Sequence, residues 1–147
     1  MKIKHLTVEE VEYTAHKLAQ RFLEWDEPIP DFSTRFPNVL ERCIIAPHQT
    51  FSGQLYEGLI KKSAILFYLL IKNHPFQNGN KRIAVVTLLM FLLKNKKWLK
   101  LDNKQLYNFA KWVAESDADV KDAVVQAIEK KLKANLVKAT EMVKWRG

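Results

Sequence analysis

A histidine and two cations fall within one nine-residue stretch, His74-Pro75-Phe76-Gln77-Asn78-Gly79-Asn80-Lys81-Arg82. A neutral imidazole can take a proton near pH 7, which makes His74 a candidate general base. Gly79 permits a tight turn that brings main-chain N–H groups close to a ligand. Lys81 and Arg82 beside that turn favour an anion, and phosphate is the natural one. Together they make an anion-binding loop with a candidate base beside it.

The flanking sequence says how these groups must be positioned. Leu59 to Ile71 and Ile83 to Leu93 are apolar almost all round, so two buried helices bracket the polar loop. Pro75 disfavours the right-handed helical conformation at His74, so the first helix should stop near Asn73. The second should begin at about Asn80, its first N–H groups lacking intrahelical partners at the positive end of the helix dipole. Phe76, the loop's large apolar side chain, is its anchor in the core.

The nonapeptide resembles the signature of the Fic/Doc family, His-Pro-Phe-x-Asp/Glu-Gly-Asn-Gly/Lys-Arg, and its Lys81-Arg82 ending looks like the Doc (death-on-curing) branch. Leu40-Glu41-Arg42 through Pro47, Phe51, Gly53 and Tyr56 is similar to the approach to the loop in that family. The resemblance implies an all-α helical bundle with a small β-hairpin flap. The flap would fall at about residues 45–55, with His48 and Phe51 facing a target protein, and the catalytic loop at 74–82. It also implies a reaction. His74 would take the proton from a protein hydroxyl, which attacks a phosphorus of ATP or another nucleoside triphosphate. Asn78, Gly79, Asn80, Lys81 and Arg82 would bind the nucleotide, with Lys81 and Arg82 acting catalytically on its phosphates.

Two departures from the pattern bear on that reaction. Asn78 stands where the family has Asp or Glu for Mg²⁺; an amide oxygen ligates a hard cation without neutralising it, so metal affinity should fall. AMP-transferring members have Gly at the Lys81 position and a second Arg three residues after the first, where this chain has Val85. Lys81 and Val85 together look like Doc, which implies phosphoryl transfer to a Ser or Thr hydroxyl, of a translation factor for example. The alternatives are nucleotidyl transfer and a non-catalytic relative that only binds a nucleotide or peptide. Family members are often restrained by a Ser/Thr-x-x-x-Glu-Gly/Asn helix. No Ser or Thr here has Glu four residues on, so a restraint is expected in trans, from an antitoxin.

The 147 residues, 48% hydrophobic and 27% charged, are those of one globular domain. Apolar runs are too short for a membrane span, the N-terminus lacks a signal-like stretch, and Cys43 is alone. A cytoplasmic protein is expected. The net charge of +8 lies in the body: residues 1 to 35 carry five Lys/Arg against seven Asp/Glu. The lysines are scattered without a recognition motif, which argues against nucleic acid and suits an acidic partner.

Elsewhere, Thr7-Val8-Glu9-Glu10 reads as a capping box opening a helix that ends near Trp25, and His5 and His16 read as surface or boundary residues. Asp26 to Pro37 reads as a loop. Asn38 should cap a short helix to about Ile45, and Asp102 with Gln105 the helix that follows Leu101. After Ser116-Asp117-Ala118-Asp119 a last helix is expected, continuing through Leu136, Val137 and Met142.

Overall fold

The computed structural model describes residues 2–21, 25, 27–50 and 53–144, and no side chain beyond residue 141. Its centre is the predicted helix pair. α3 (Gly58–Lys72) and α4 (Asn80–Lys94) pack against each other, and α4 buries residues on every side, from Arg82 and Ile83 to Phe91 and Leu92. A fifteen-residue helix is about 22 Å long. The pair therefore has two well-separated ends: the loop end at residues 73–80, and a far end at Gly58 and Lys94.

The other elements wrap this pair. α1 (residues 8–21) opens on the expected capping box, in which Thr7 accepts from the Glu10 N–H and Glu10 from the Thr7 N–H. It passes through a π-helical stretch, Val11–His16, into Lys17–Arg21 and buries Val11, Ala15 and Ala19. The expected end near Trp25 lies past residues 22–24, which are outside the described ones. α2 (Pro37–Ile45) starts one residue before the expected cap. Pro37 fills the first helical position, where its missing N–H costs nothing, and Phe36 is the cap residue. The N–H of Phe36 donates to Pro75 O at 2.8 Å, which ties the start of α2 to the loop end.

α5 (Asn103–Glu115) opens on the Asp102/Gln105 capping box. Lys72, at the end of α3, donates to the carbonyls of Ala114 and Ser116 and so fastens the end of α5. The last helix, α6 (Lys121–Asn135), buries Val124, Ile128 and Leu132. It does not continue as expected. Leu136–Lys138 forms a strand, β2, antiparallel to β1 (Lys97–Leu99), with Trp98 opposite Val137 and Leu99 opposite Leu136. Leu99 is fully buried; the Lys100 N–H donates to Asn135 O and the Ala139 N–H to Lys96 O at the two ends of the ladder, which a further helical turn could not do for the β1 edge.

The architecture is the expected helical one with a small antiparallel sheet, which pairs Lys97–Leu99 with Leu136–Lys138. Residues 45–55 hold the end of α2, a 3₁₀ turn at Ala46–His48 and one bridge between Thr50 and Gln54. Among the described residues no helix is long and apolar enough to cross a membrane.

Candidate functional site

The loop end is assembled from four segments. α3 stops at Lys72, with Asn73 as its C-cap, and the chain then turns sharply: His74 has φ 50°, a left-handed conformation uncommon outside glycine. Proline at position 75 pushes His74 out of the right-handed region, as predicted, and left-handed backbone is where the turn takes it. His74 is exposed, whereas Pro75, Phe76, Gly79 and Asn80 are buried. Phe76 anchors the loop, with its ring centroid 5.8 Å from those of Phe32 and His16.

Asn80, the first residue of α4, reaches back over the turn. Its Oδ1 accepts from the Phe76 N–H at 3.0 Å and its Nδ2 donates to Phe76 O at 2.8 Å, so both ends of the amide are committed. The same Nδ2 lies 3.4 Å from Nδ1 of His74, close enough to orient the ring and too long for a strong bond. Gly79 is the cap residue, at φ 72°, and has no side chain to answer the first N–H groups of α4. A Cβ there would lie 2.9 Å from Cδ1 of Ile29 and 3.0 Å from the carbonyl oxygen of Pro28, so the glycine is required by space as well as by backbone.

The two cations differ in setting. Arg82 is buried; burial pulls its basicity down and the charge of Glu27 opposes that. Lys81, partly exposed, makes an ion pair with Glu27. Glu27 was not singled out in the sequence. It belongs to the segment 27–30, which lies over Gly79 and brings an acid from within the chain to a cation expected to meet phosphate. His16, expected at the surface or a boundary, is buried. Its Nε2 is 2.9 Å from Pro30 O and its ring packs edge-on against Phe32, so it fixes the same segment. Burial lowers its basicity, with the Pro30 contact opposing. No spacing rule announces such a contact, since His16 and Pro30 belong to different elements.

Asn78 is exposed, and its Oδ1 accepts from the Gly79 N–H at 2.9 Å. The amide oxygen that could face a metal is thus turned onto the backbone. Among the described residues no group of three or more His, Cys, Asp or Glu could hold a metal ion. The loop's own side chains therefore do not fit a protein-held Mg²⁺. Val85, in the place of a second Arg, is fully buried.

His48 is not brought to this site. Its ring stacks on His5, centroids 3.4 Å apart, and meets Phe91 edge-on at 5.9 Å. Phe91 is eleven residues along α4 from Asn80, about 16 Å of helix. Lys62, near the start of α3, donates to Pro47 O and Tyr56 O, so both ends of the 47–56 turn are fixed to the far end of the pair. Phe51 lies outside the described residues.

Comparison with curated proteins gave no match, and comparison with solved structures gave none either. A family model described as the Fic/DOC family matches residues 5–92, which carry the π-bulged first helix, both central helices up to Leu92 and the whole loop between them. The chain belongs to the Fic/DOC family.

Proposed function

We propose that the protein transfers a phosphoryl group from a nucleoside triphosphate to a hydroxyl of a target protein. The observation that carries this reading is the pairing of an exposed imidazole with a helix N-terminus whose cap residue, Gly79, offers no side chain. His74 stands at the mouth of the loop with a weak contact to Asn80, and α4 begins at the same asparagine, directly behind that cap. A substrate hydroxyl replacing the 3.4 Å Asn80 contact would meet the lone pair on Nδ1. As the hydroxyl oxygen forms its bond to the γ-phosphorus, the proton passes to the ring and the nucleoside diphosphate leaves. Negative charge on the transferring oxygens is met by the N–H groups of residues 80–82 and by Arg82. Lys81 joins them once it leaves Glu27.

Two features favour phosphoryl over nucleotidyl transfer. Lys81 adds a cation at the terminal phosphate, and Val85 offers no second guanidinium for the rest of the chain of phosphates. With Asn78 neutral, any Mg²⁺ would arrive on the nucleotide, and no step above depends on it. Target proteins would approach the exposed face at His74, and an antitoxin segment would compete with Glu27 for Lys81.

The test incubates the protein and its His74→Ala variant with a bacterial lysate, Mg²⁺ and ATP labelled at the α or the γ phosphorus. The expected result is His74-dependent γ label on a protein band. Dependence on His74 with α label instead would replace phosphoryl by nucleotidyl transfer. No His74-dependent label would overturn the transferase reading.

A further inference from the structure

The far end of the helix pair holds a second cation cluster, around a cavity of about 500 Å³ lined by Lys2, His5, His48, Thr50, Gln54 and Lys62 together with Ile3, Glu57 and Gly58. That volume is in the range of small-molecule sites and exceeds what a few waters need. Three separate segments build it: the N-terminal stretch, the 47–56 turn and the start of α3. None of its groups belongs to the His74 loop.

Its polar groups are incompletely answered. Lys62 is nine-tenths buried, and of its three donors two are given to Pro47 O at 3.1 Å and Tyr56 O at 2.5 Å. Nδ1 of His48 is buried with no hydrogen-bond partner among the described residues. Gly58 starts α3 at the cavity wall, and the cap residue Glu57 makes no side-chain hydrogen bond to the first turn. Glu57 is the cavity's one carboxylate; it is exposed and makes no ion pair with Lys62 among the described residues.

We propose that this cavity binds the phosphate of a small phosphomonoester, with the Lys62 ammonium, the His48 and His5 imidazoles and the Thr50 hydroxyl as its donors. The oxyanion accepts from the third Lys62 N–H and from the His48 ring where it lines the cavity, and Gly58 lines the same space. Two stacked imidazoles tolerate one proton between them when an anion lies alongside, so binding draws in a proton. The groups around the stack favour this. Burial and the charges of Lys62, Lys2 and Lys94 hold His5 below its ordinary basicity, and burial, His5 and Lys62 hold His48 down at about 4. Lys94 is itself paired with Glu10, so no free acid besides Glu57 competes for the site.

The experiment follows the ring resonances of the four histidines during titration with inorganic phosphate, with glycerol phosphate and with acetate at constant ionic strength, at pH 6.0 and 7.5. The His74 resonance reports phosphate at the loop independently. The result expected is saturable movement of His5 and His48 with millimolar affinity, at least about fivefold tighter at pH 6.0 than at 7.5 because binding takes up a proton. Tighter binding of glycerol phosphate than of phosphate assigns the site to an esterified ligand, and the reverse to free phosphate. His48→Asn should weaken binding about tenfold, and Thr50→Val, which cannot disturb the buried ammonium, by about threefold. Movement confined to His74, equal response to acetate, or linear unsaturated shifts would overturn the proposal.

Discussion

At the loop end Lys81 is paired with Glu27 and Arg82 is buried under the charge of the same acid; at the far end Lys62 gives its ammonium to two backbone carbonyls while two imidazoles are held neutral. Both ends gather cations. One carries its own counterion, on a segment laid over the site, and a ligand there must displace it. The other suppresses its charge, and a ligand there must bring a proton with it. The lesson is that a cluster of basic residues predicts an anion less well than the way the cluster is neutralised in its absence.

Removing the base gives the largest effect. His74→Ala should lower transfer about 100-fold or more in a single-turnover assay, with the melting temperature moved by less than about 2 °C because the side chain is exposed. An equal loss from His48→Ala would erase the distinction between the two ends.

Gly79→Ala tests the cover on the loop. The new Cβ meets Ile29 and Pro28 and sits at positive φ, so stability should fall by about 2 kcal/mol, read as a melting temperature about 5 °C lower. Gly53, at φ 120° with open space around it, should show only the backbone cost.

The far end should dominate the acid limb of stability. Burial and the charges of His5 and Lys62 lower the pKa of His48 to about 4 in the fold against 6.5 in the open chain, so the unfolded state binds more protons between those values. Stability is therefore full above pH 6.5 and is lost as pH falls toward 4, by at most about 1.4 kcal/mol per pH unit. Melting curves of His48→Phe should be flatter across that window.

The smallest effect is expected at Glu27. Both partners of its ion pair are partly exposed, so Glu27→Gln should tighten ATP binding only severalfold, and less at high salt. Weaker binding in that variant would mean that Glu27 orders the site instead of occupying it.

Much of the loop end was legible in the sequence because its determinants are local. Pro75, Gly79 and the two apolar runs fix where one helix stops and the next begins, and the structure places those boundaries at Lys72 and Asn80. The capping boxes at Thr7 and Asp102 are local in the same sense. What escaped were contacts between distant segments. Glu27 reaches Lys81 across 54 residues, and His16 holds Pro30 from another element. Likeness to a flap puts His48 beside the loop, whereas its ring stacks on His5 and meets Phe91, partners from two distant segments. Leu136 and Val137 fit a helical stripe equally well until the edge of Lys97–Leu99 claims them.

The division between the two ends is tested most directly by amide-resolved spectra of the labelled protein titrated with ATP. The account predicts saturable shifts at Gly79, Asn80, Lys81 and Arg82, more tightly in Glu27→Gln, ahead of any at Thr50, Gln54 and Lys62. ATP that moves the far-end amides first, or leaves residues 79–82 unmoved at saturation, would contradict the assignment of the nucleotide to the His74 loop.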